Sequence, residues 1–149
     1  MRVKKLHPKA RIPTRACPGD LGFDLYALEN VEIPAVSETG GLPVVLIRTG
    51  IAVEFPPGWG GFIKDRSSVA VKKKLHVIAG VIDNGYRGEI KIAIVNLSSK
   101  VQKVEAGERI AQLVPVILYP YDIQEADALS ETQRGEGGFG SSNKTNQED

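Results

Sequence analysis

Two runs of aliphatic residues flank an Asn-Gly dipeptide in the stretch 75–97, which reads LHVIAGVI, DNGYRG and EIKIAIVNL. Ile90, Ile92 and Ile94 alternate with Glu89, Lys91 and Ala93. That period of two lays one face of a strand on a core. Asn84-Gly85 is the dipeptide that suits the positive φ angles of a tight hairpin turn. The stretch therefore predicts a long β-hairpin whose tip carries Asp83, Tyr86, Arg87 and Glu89. At such a tip Asp83 is either a turn residue that caps its own backbone or a functional carboxylate. The hairpin alone does not choose between them.

The rest of the chain has the texture of an all-β domain. Sixteen glycines and nine prolines break up short apolar runs, a pattern of strands and turns rather than of a helical bundle. Strands are expected over 4–5, 23–27, 31–33, 44–54, 61–64, 76–82, 89–96 and 110–119. Gly50 supplies a bend within the fourth, and Pro56-Pro57-Gly58 a turn before the fifth. Only 67–74 has helical character, with Ser67 or Ser68 as its N-cap. At 149 residues the chain is sized for one domain with its own core. From Asp122 the apolar pattern fades into a glycine-rich tail that is expected to be mobile. A net charge of +1 argues against bulk electrostatic binding. No window approaches the roughly 18 apolar residues of a membrane span, and the N-terminus lacks the apolar run of a signal peptide. Cys17 is the single cysteine, so no internal disulfide or zinc–thiolate cluster is available. A cytoplasmic protein is expected, with neither nucleic acid nor membrane as partner.

Four further segments carry chemistry. In GDLGFDLYA (19–27), Asp24 projects from the strand face opposite Phe23 and Leu25. It is either a solvated strand residue or a carboxylate that holds waters of a hydrated Mg2+, an ion that touches few carboxylates directly. Asp65-Arg66-Ser67-Ser68 places a forked guanidinium and two hydroxyls at a helix N-terminus. That is the outline of an anion site, or simply a capped helix with a surface arginine. In GERIAQLV (107–114), Ile110, Gln112 and Val114 share one strand face. The Gln112 amide then points among apolar residues and needs partners, either backbone groups or a phosphate oxygen. In RGEGGFGSS (134–142), the glycines free backbone N–H groups for phosphate, Arg134 supplies charge and Phe139 a stacking face. Composition alone equally describes a linker.

Taken in order, GDLGFDLYA, DRSSVA, GVIDNGYRGE, GERIAQLV and RGEGGFGSS resemble the five motifs of the trimeric dUTP diphosphatases (dUTPases). The likeness runs from Gly19 to Ser142. It implies a jelly-roll-like β-barrel over 1–125 that forms a homotrimer with shared active sites. An arm over 126–149 completes a neighbouring site. The implied reaction is hydrolysis of dUTP to dUMP and pyrophosphate by water attack at the α-phosphorus, with Mg2+ as cofactor. Such a reaction limits uracil in DNA and supplies dUMP for dTMP synthesis. On this chain, Asp83 resembles the general base, and Tyr86 the residue that packs beneath the deoxyribose and excludes a 2′-hydroxyl. Gly80 resembles the backbone that reads uracil, with Lys91 on the facing strand beside it. Arg66, Ser67, Ser68 and Gln112 resemble phosphate binders, and Asp24 the carboxylate that holds Mg2+ through water. Arg134, Phe139, Gly140 and Ser141 resemble the arm that stacks over the base and grips the γ-phosphate.

Two positions depart from the family pattern. Asp65 adds a carboxylate beside Arg66, and Asn143 follows Ser141-Ser142 where the last turn of the arm differs. Two alternatives stand beside the leading one. A dCTP deaminase shares the fold but lacks an Arg/Phe glycine arm, and a non-catalytic nucleotide-binding protein would use the same scaffold.

Overall fold

The computed structural model describes residues 1–36 and 41–137. In chain order the strands are β1 (Arg2–Lys5), β2 (Phe23–Tyr26), β3 (Val31–Ile33), β4 (Val44–Arg48), β5 (Ile51–Glu54) and β6 (Trp59–Asp65). The short helix α1 (Ser67–Lys73) follows, then β7 (Leu75–Val77), β8 (Val81–Ile82), β9 (Lys91–Asn96), β10 (Gln102–Val104) and β11 (Arg109–Ile117). One sheet has the order β2-β11-β6-β8 and a second β4-β9-β7, while β1-β5 and β10-β3 form two-stranded ribbons. The pairings between these strands are antiparallel.

The inner faces meet in one core. Leu25, Ile63 and Leu113 come from the first sheet, Ile47, Ile92 and Ile94 from the second, and Ile33, Ile51, Val53 and Val104 from the ribbons. This is the all-β, jelly-roll-like architecture expected, with its sheets hydrogen-bonded separately. Ile90, Ile92 and Ile94 are all at most 1% exposed, as their alternation predicts. Each such burial contributes about 1.5–3 kcal/mol. A one-residue slip of β9 would exchange these side chains for Glu89 and Lys91, which pins the register. No helix among the described residues is long and apolar enough to cross a membrane.

The expected hairpin forms only at its root. Leu75 faces Asn96 and Val77 faces Ile94, and the Ile78 amide still donates to the Ala93 carbonyl at 3.1 Å. Beyond that, the expected single strand 76–82 divides, because β8 crosses to β6 and sets Ile82 opposite Gly61. Gly80 makes the crossing possible. Its carbonyl accepts from the Ile63 amide at 2.7 Å, and a Cβ on it would stand 2.6 Å from the Ile63 carbonyl oxygen. A glycine within an apolar run often marks such a close backbone approach.

Asn84-Gly85 does not make the tight turn expected, since neither residue has a positive φ. The limbs have already parted, so the tip is a wide opening. Asn84 holds it by its side chain instead, with Nδ2 donating to the carbonyls of Pro56 (2.8 Å) and Trp59 (2.7 Å). The helix differs at both ends as well. Its N-cap is Arg66, in extended conformation and without a side-chain cap bond, and Lys74 closes it in the left-handed region at φ 56°. Strand β10 was not expected from the sequence; its pairing with β3 identifies it.

Candidate active site

The parted hairpin encloses a cavity of about 410 Å³ lined by Leu46, Gly80, Asp83, Tyr86, Glu89 and Lys91, among others. Asp83 stands exposed at its rim. Its backbone carbonyl accepts from the Tyr86 amide at 3.1 Å, which makes the turn. Among the described residues its carboxylate has no partner, so both oxygens are open to water or ligand. The Tyr86 hydroxyl donates to the Glu89 carbonyl at 3.0 Å, and a Cβ on Gly88 would meet that hydroxyl oxygen at 2.4 Å. Glu89 in turn accepts from Arg48 Nε at 3.1 Å and from the Gly50 amide at 2.9 Å. The Tyr86 ring is thus fixed through Glu89 to the bend between β4 and β5. Lys91 projects into the same cavity from β9.

A second cleft, of about 260 Å³, is lined by Asp20, Gly22, Asp24, Arg66, Ser67, Ser68 and Gln112. Asp24 is not a solvated strand residue. It is 7% exposed, with Oδ1 accepting from Arg66 Nε at 2.7 Å and Oδ2 from Arg109 Nη1 at 3.1 Å. Arg66 Nη1 also donates to the Arg109 carbonyl at 3.2 Å. Two guanidinium groups meet at one carboxylate beside the cleft, and Asp20 adds a second carboxylate to its lining. The Ser67 and Ser68 side chains are exposed beside it, and first-turn amides of a helix have no partner within it.

Gln112 lies on the cleft side of β11 rather than among core residues. A bulge between Arg109 and Ala111 in the pairing with β2 turns Ile110 inward along with Ala111 and Leu113, all at most 1% exposed. The face shared by Ile110 and Gln112 in a regular strand is therefore broken. Gln112 Nε2 donates to the Asp65 carbonyl at 2.7 Å, and the side chain lines the cleft. Gly22 leaves room for it, since a Cβ there would stand 2.2 Å from Gln112 Oε1.

The two clefts share no lining residue. One chain brings Gly80, Asp83, Tyr86 and Lys91 together, and separately Asp24, Arg66, Ser67, Ser68 and Gln112. Arg134 lines neither; it is exposed, with Nε donating to the Gly137 carbonyl at 2.7 Å. Phe139, Gly140, Ser141 and Asn143 lie outside the described residues.

The family model of the dUTPases matches residues 8–143. The chain belongs to the dUTPase family. A relative from Hydrogenobaculum sp., named deoxyuridine 5'-triphosphate nucleotidohydrolase, is 45% identical over 93% of this chain and 94% of its own length. One of the same name from Picosynechococcus sp. is 46% identical over 95% and 96%. Among solved structures, the dUTPase of Staphylococcus bacteriophage 80alpha with dUPNHPP superposes with a TM-score of 0.83 at 30% identity, covering 94% of this chain and 96% of its own. A dUTPase of S. aureus phage phi11, described with a structural Mg(II) ion, gives a TM-score of 0.74 at 25% identity over 87% and 98%.

Magnesium is the metal this family generally uses. In this dUTPase the donor set does not fit a directly ligated resident ion. Both oxygens of Asp24 are held by guanidinium groups, and no cluster of three His, Cys, Asp or Glu side chains occurs among the described residues. Sequence reasoning missed Arg109. It lies within GERIAQLV, but only the bulge brings it to Asp24, and no sequence signal marks that bulge.

Proposed function

We propose that this dUTPase divides its reaction between the two clefts, with Asp83 as the general base. The reaction follows from the family: dUTP and water give dUMP and pyrophosphate. The observation that carries the assignment is the Asp83 carboxylate, without a partner among the described residues, at the rim of the hairpin cavity beside Tyr86 and Gly80. Asp83 orients a water and accepts its proton as the oxygen attacks the α-phosphorus, and the bond to the bridging oxygen of pyrophosphate breaks. Phosphoryl transfer of this kind needs positioning and charge neutralisation more than covalent help. Arg66, Ser67, Ser68 and Gln112 supply these from the second cleft. Asp24 fixes Arg66 and Arg109, and it would hold a nucleotide-borne Mg2+, which would neutralise phosphate charge, through water.

The main-chain groups between β7 and β8 that remain once the Ile78 amide pairs with Ala93 and the Gly80 carbonyl with Ile63 are the ones to match the O4–N3–O2 edge of uracil. Cytosine presents the opposite polarity at N3 and N4, and mismatched buried polar groups discriminate by up to about 10⁴–10⁵-fold. Tyr86 packs beneath the deoxyribose and Lys91 flanks the base. Because the clefts are separate within one chain, a complete site takes a hairpin from one subunit and a phosphate cleft from another, as a homotrimer provides. Exposed Phe62, Val81 and Leu46 beside the hairpin suit burial between subunits. Residues 1–125 form the barrel-like body and 126–149 the arm that closes over the nucleotide with Arg134, Phe139, Gly140 and Ser141. A cytoplasmic setting accords with the exposed free thiol of Cys17 in a reducing compartment.

The test is pyrophosphate release from dUTP, UTP, dTTP and dCTP. The expected result is a kcat/KM for dUTP at least about 10²-fold above the others. Ammonia release from dCTP would instead establish the deaminase alternative, which the nucleotidohydrolase relatives disfavour. Deleting the chain from Arg134 onward should lower kcat/KM for dUTP by about tenfold to a hundredfold, the scale of lost charge-assisted phosphate contacts. Melting temperature should not change. Full activity of the truncated chain would remove the arm from the mechanism.

A further inference from the structure

We infer that Asp65 is a positioning residue for the phosphate-binding turn, acting through His76 and Val77. A carboxylate next to Arg66 in sequence ought to oppose a triphosphate. The geometry turns it elsewhere. Asp65 Oδ1 accepts from the Val77 amide at 2.7 Å, and Oδ2 lies 2.7 Å from His76 Nδ1. An ionised carboxylate only accepts, so Nδ1 carries the proton of that bond. Asp65 lines the cleft between β6 and β7 with His76 and Val77 and is absent from the lining of the cleft that holds Arg66.

Asp65 also closes β6. Its pairing with Ala111 is the last rung of the β6–β11 ladder, and its carbonyl accepts the Gln112 amide at 2.7 Å. One residue thus joins β6, β7 and the Gln112 side chain at the point where the chain leaves the sheet. The next residue is Arg66, whose extended backbone starts α1. With the carboxylate removed, the end of β6 loses its tie to β7, and Arg66, Ser67 and Ser68 lose the fixed backbone that aims them. The side chains of the pair are 53% (His76) and 27% (Asp65) exposed, and a solvent-exposed contact of that kind contributes little to folding stability. The part-buried Val77 bond adds a folding cost when its acceptor is removed, and the deoxyuridine arm of the test separates that general cost from the effect on phosphate binding.

This role rests on Arg66, Ser67 and Ser68 binding phosphate as proposed above, so Arg66→Ala is assayed alongside. In the full chain, Asp65→Ala is expected to raise KM for dUTP by about three- to tenfold, the scale of losing a hydrogen bond to a charged acceptor, with kcat within about twofold. Competitive inhibition by deoxyuridine, which carries no phosphate, should not change. Asp65→Asn keeps an acceptor for Val77 and a polar partner for His76, and should recover most of the loss. If Arg66→Ala leaves KM unchanged, the phosphate reading falls and this role with it. If Arg66→Ala raises KM while Asp65→Ala leaves or lowers it, the positioning role alone is overturned. Equal weakening of deoxyuridine inhibition overturns it too. Should Asp65→Ala not fold, His76→Ala carries the test: a KM raised about twofold supports the role, and an unchanged KM rejects it.

Discussion

Asp83→Asn is expected to lower kcat for dUTP by about 10²–10⁴-fold, the contribution of a positioned general base. The amide is isosteric with the carboxylate but cannot take the proton of the attacking water. Little else should change. The turn at this position is made by the Asp83 backbone carbonyl and the Tyr86 amide, which the substitution leaves in place. The side chain is exposed and among the described residues has no partner to lose, so stability should stay within about 0.5 kcal/mol. Single-turnover kinetics would report the chemical step, and titration with a non-hydrolysable dUTP analogue the affinity. A variant with wild-type kcat would take Asp83 out of the mechanism. Lost analogue affinity with an unchanged bound-state rate would make it a binding residue instead.

Asp24→Ala should damage both activity and stability. It leaves Arg66 and Arg109 without their shared acceptor at a site where Asp24 is 7% exposed. Breaking a buried pair by removing one partner costs about 3–5 kcal/mol. Arg109 is 46% exposed, which places this case near the lower bound. In kcat/KM the loss should be about 10²-fold, because Arg66 no longer has a fixed direction from which to meet phosphate. Denaturant unfolding and dUTP kinetics across a magnesium series separate the two roles of this carboxylate. If Asp24 chiefly orients the arginines, both deficits persist at every magnesium concentration. If it chiefly holds a hydrated ion, excess magnesium restores activity and the unfolding midpoint barely moves, which would reverse the assignment.

Much of the fold was legible because its signals are local. The alternation of Ile90, Ile92 and Ile94 placed β9 and its buried face, and Gly50, at φ 69°, marked the bend between β4 and β5. The candidate residues stood out as motifs, and the structure gathers Gly80, Asp83, Tyr86 and Lys91 at one cleft and Asp24, Arg66, Ser67, Ser68 and Gln112 at another. Asn84-Gly85 misled because its turn preference applies to limbs that stay paired, and here the limbs part for β6. The fate of Gln112 was open for a similar reason: strand parity is local, but the bulge that overrides it arises from pairing with β2.

Short-range pattern therefore determined most of the strands and their buried faces, because alternation and turn chemistry act over a few residues. Only tertiary structure decided the partners. Asp24 meets Arg66 across 42 positions and Arg109 across 85, and Gly80 lies against Ile63 because β8 crosses to β6. Asp65 turns toward β7 instead of toward the cleft that holds Arg66. These contacts depend on how separate strands stack and register. No stretch of sequence encodes that by itself, since it is the joint burial of all their apolar faces that sets it.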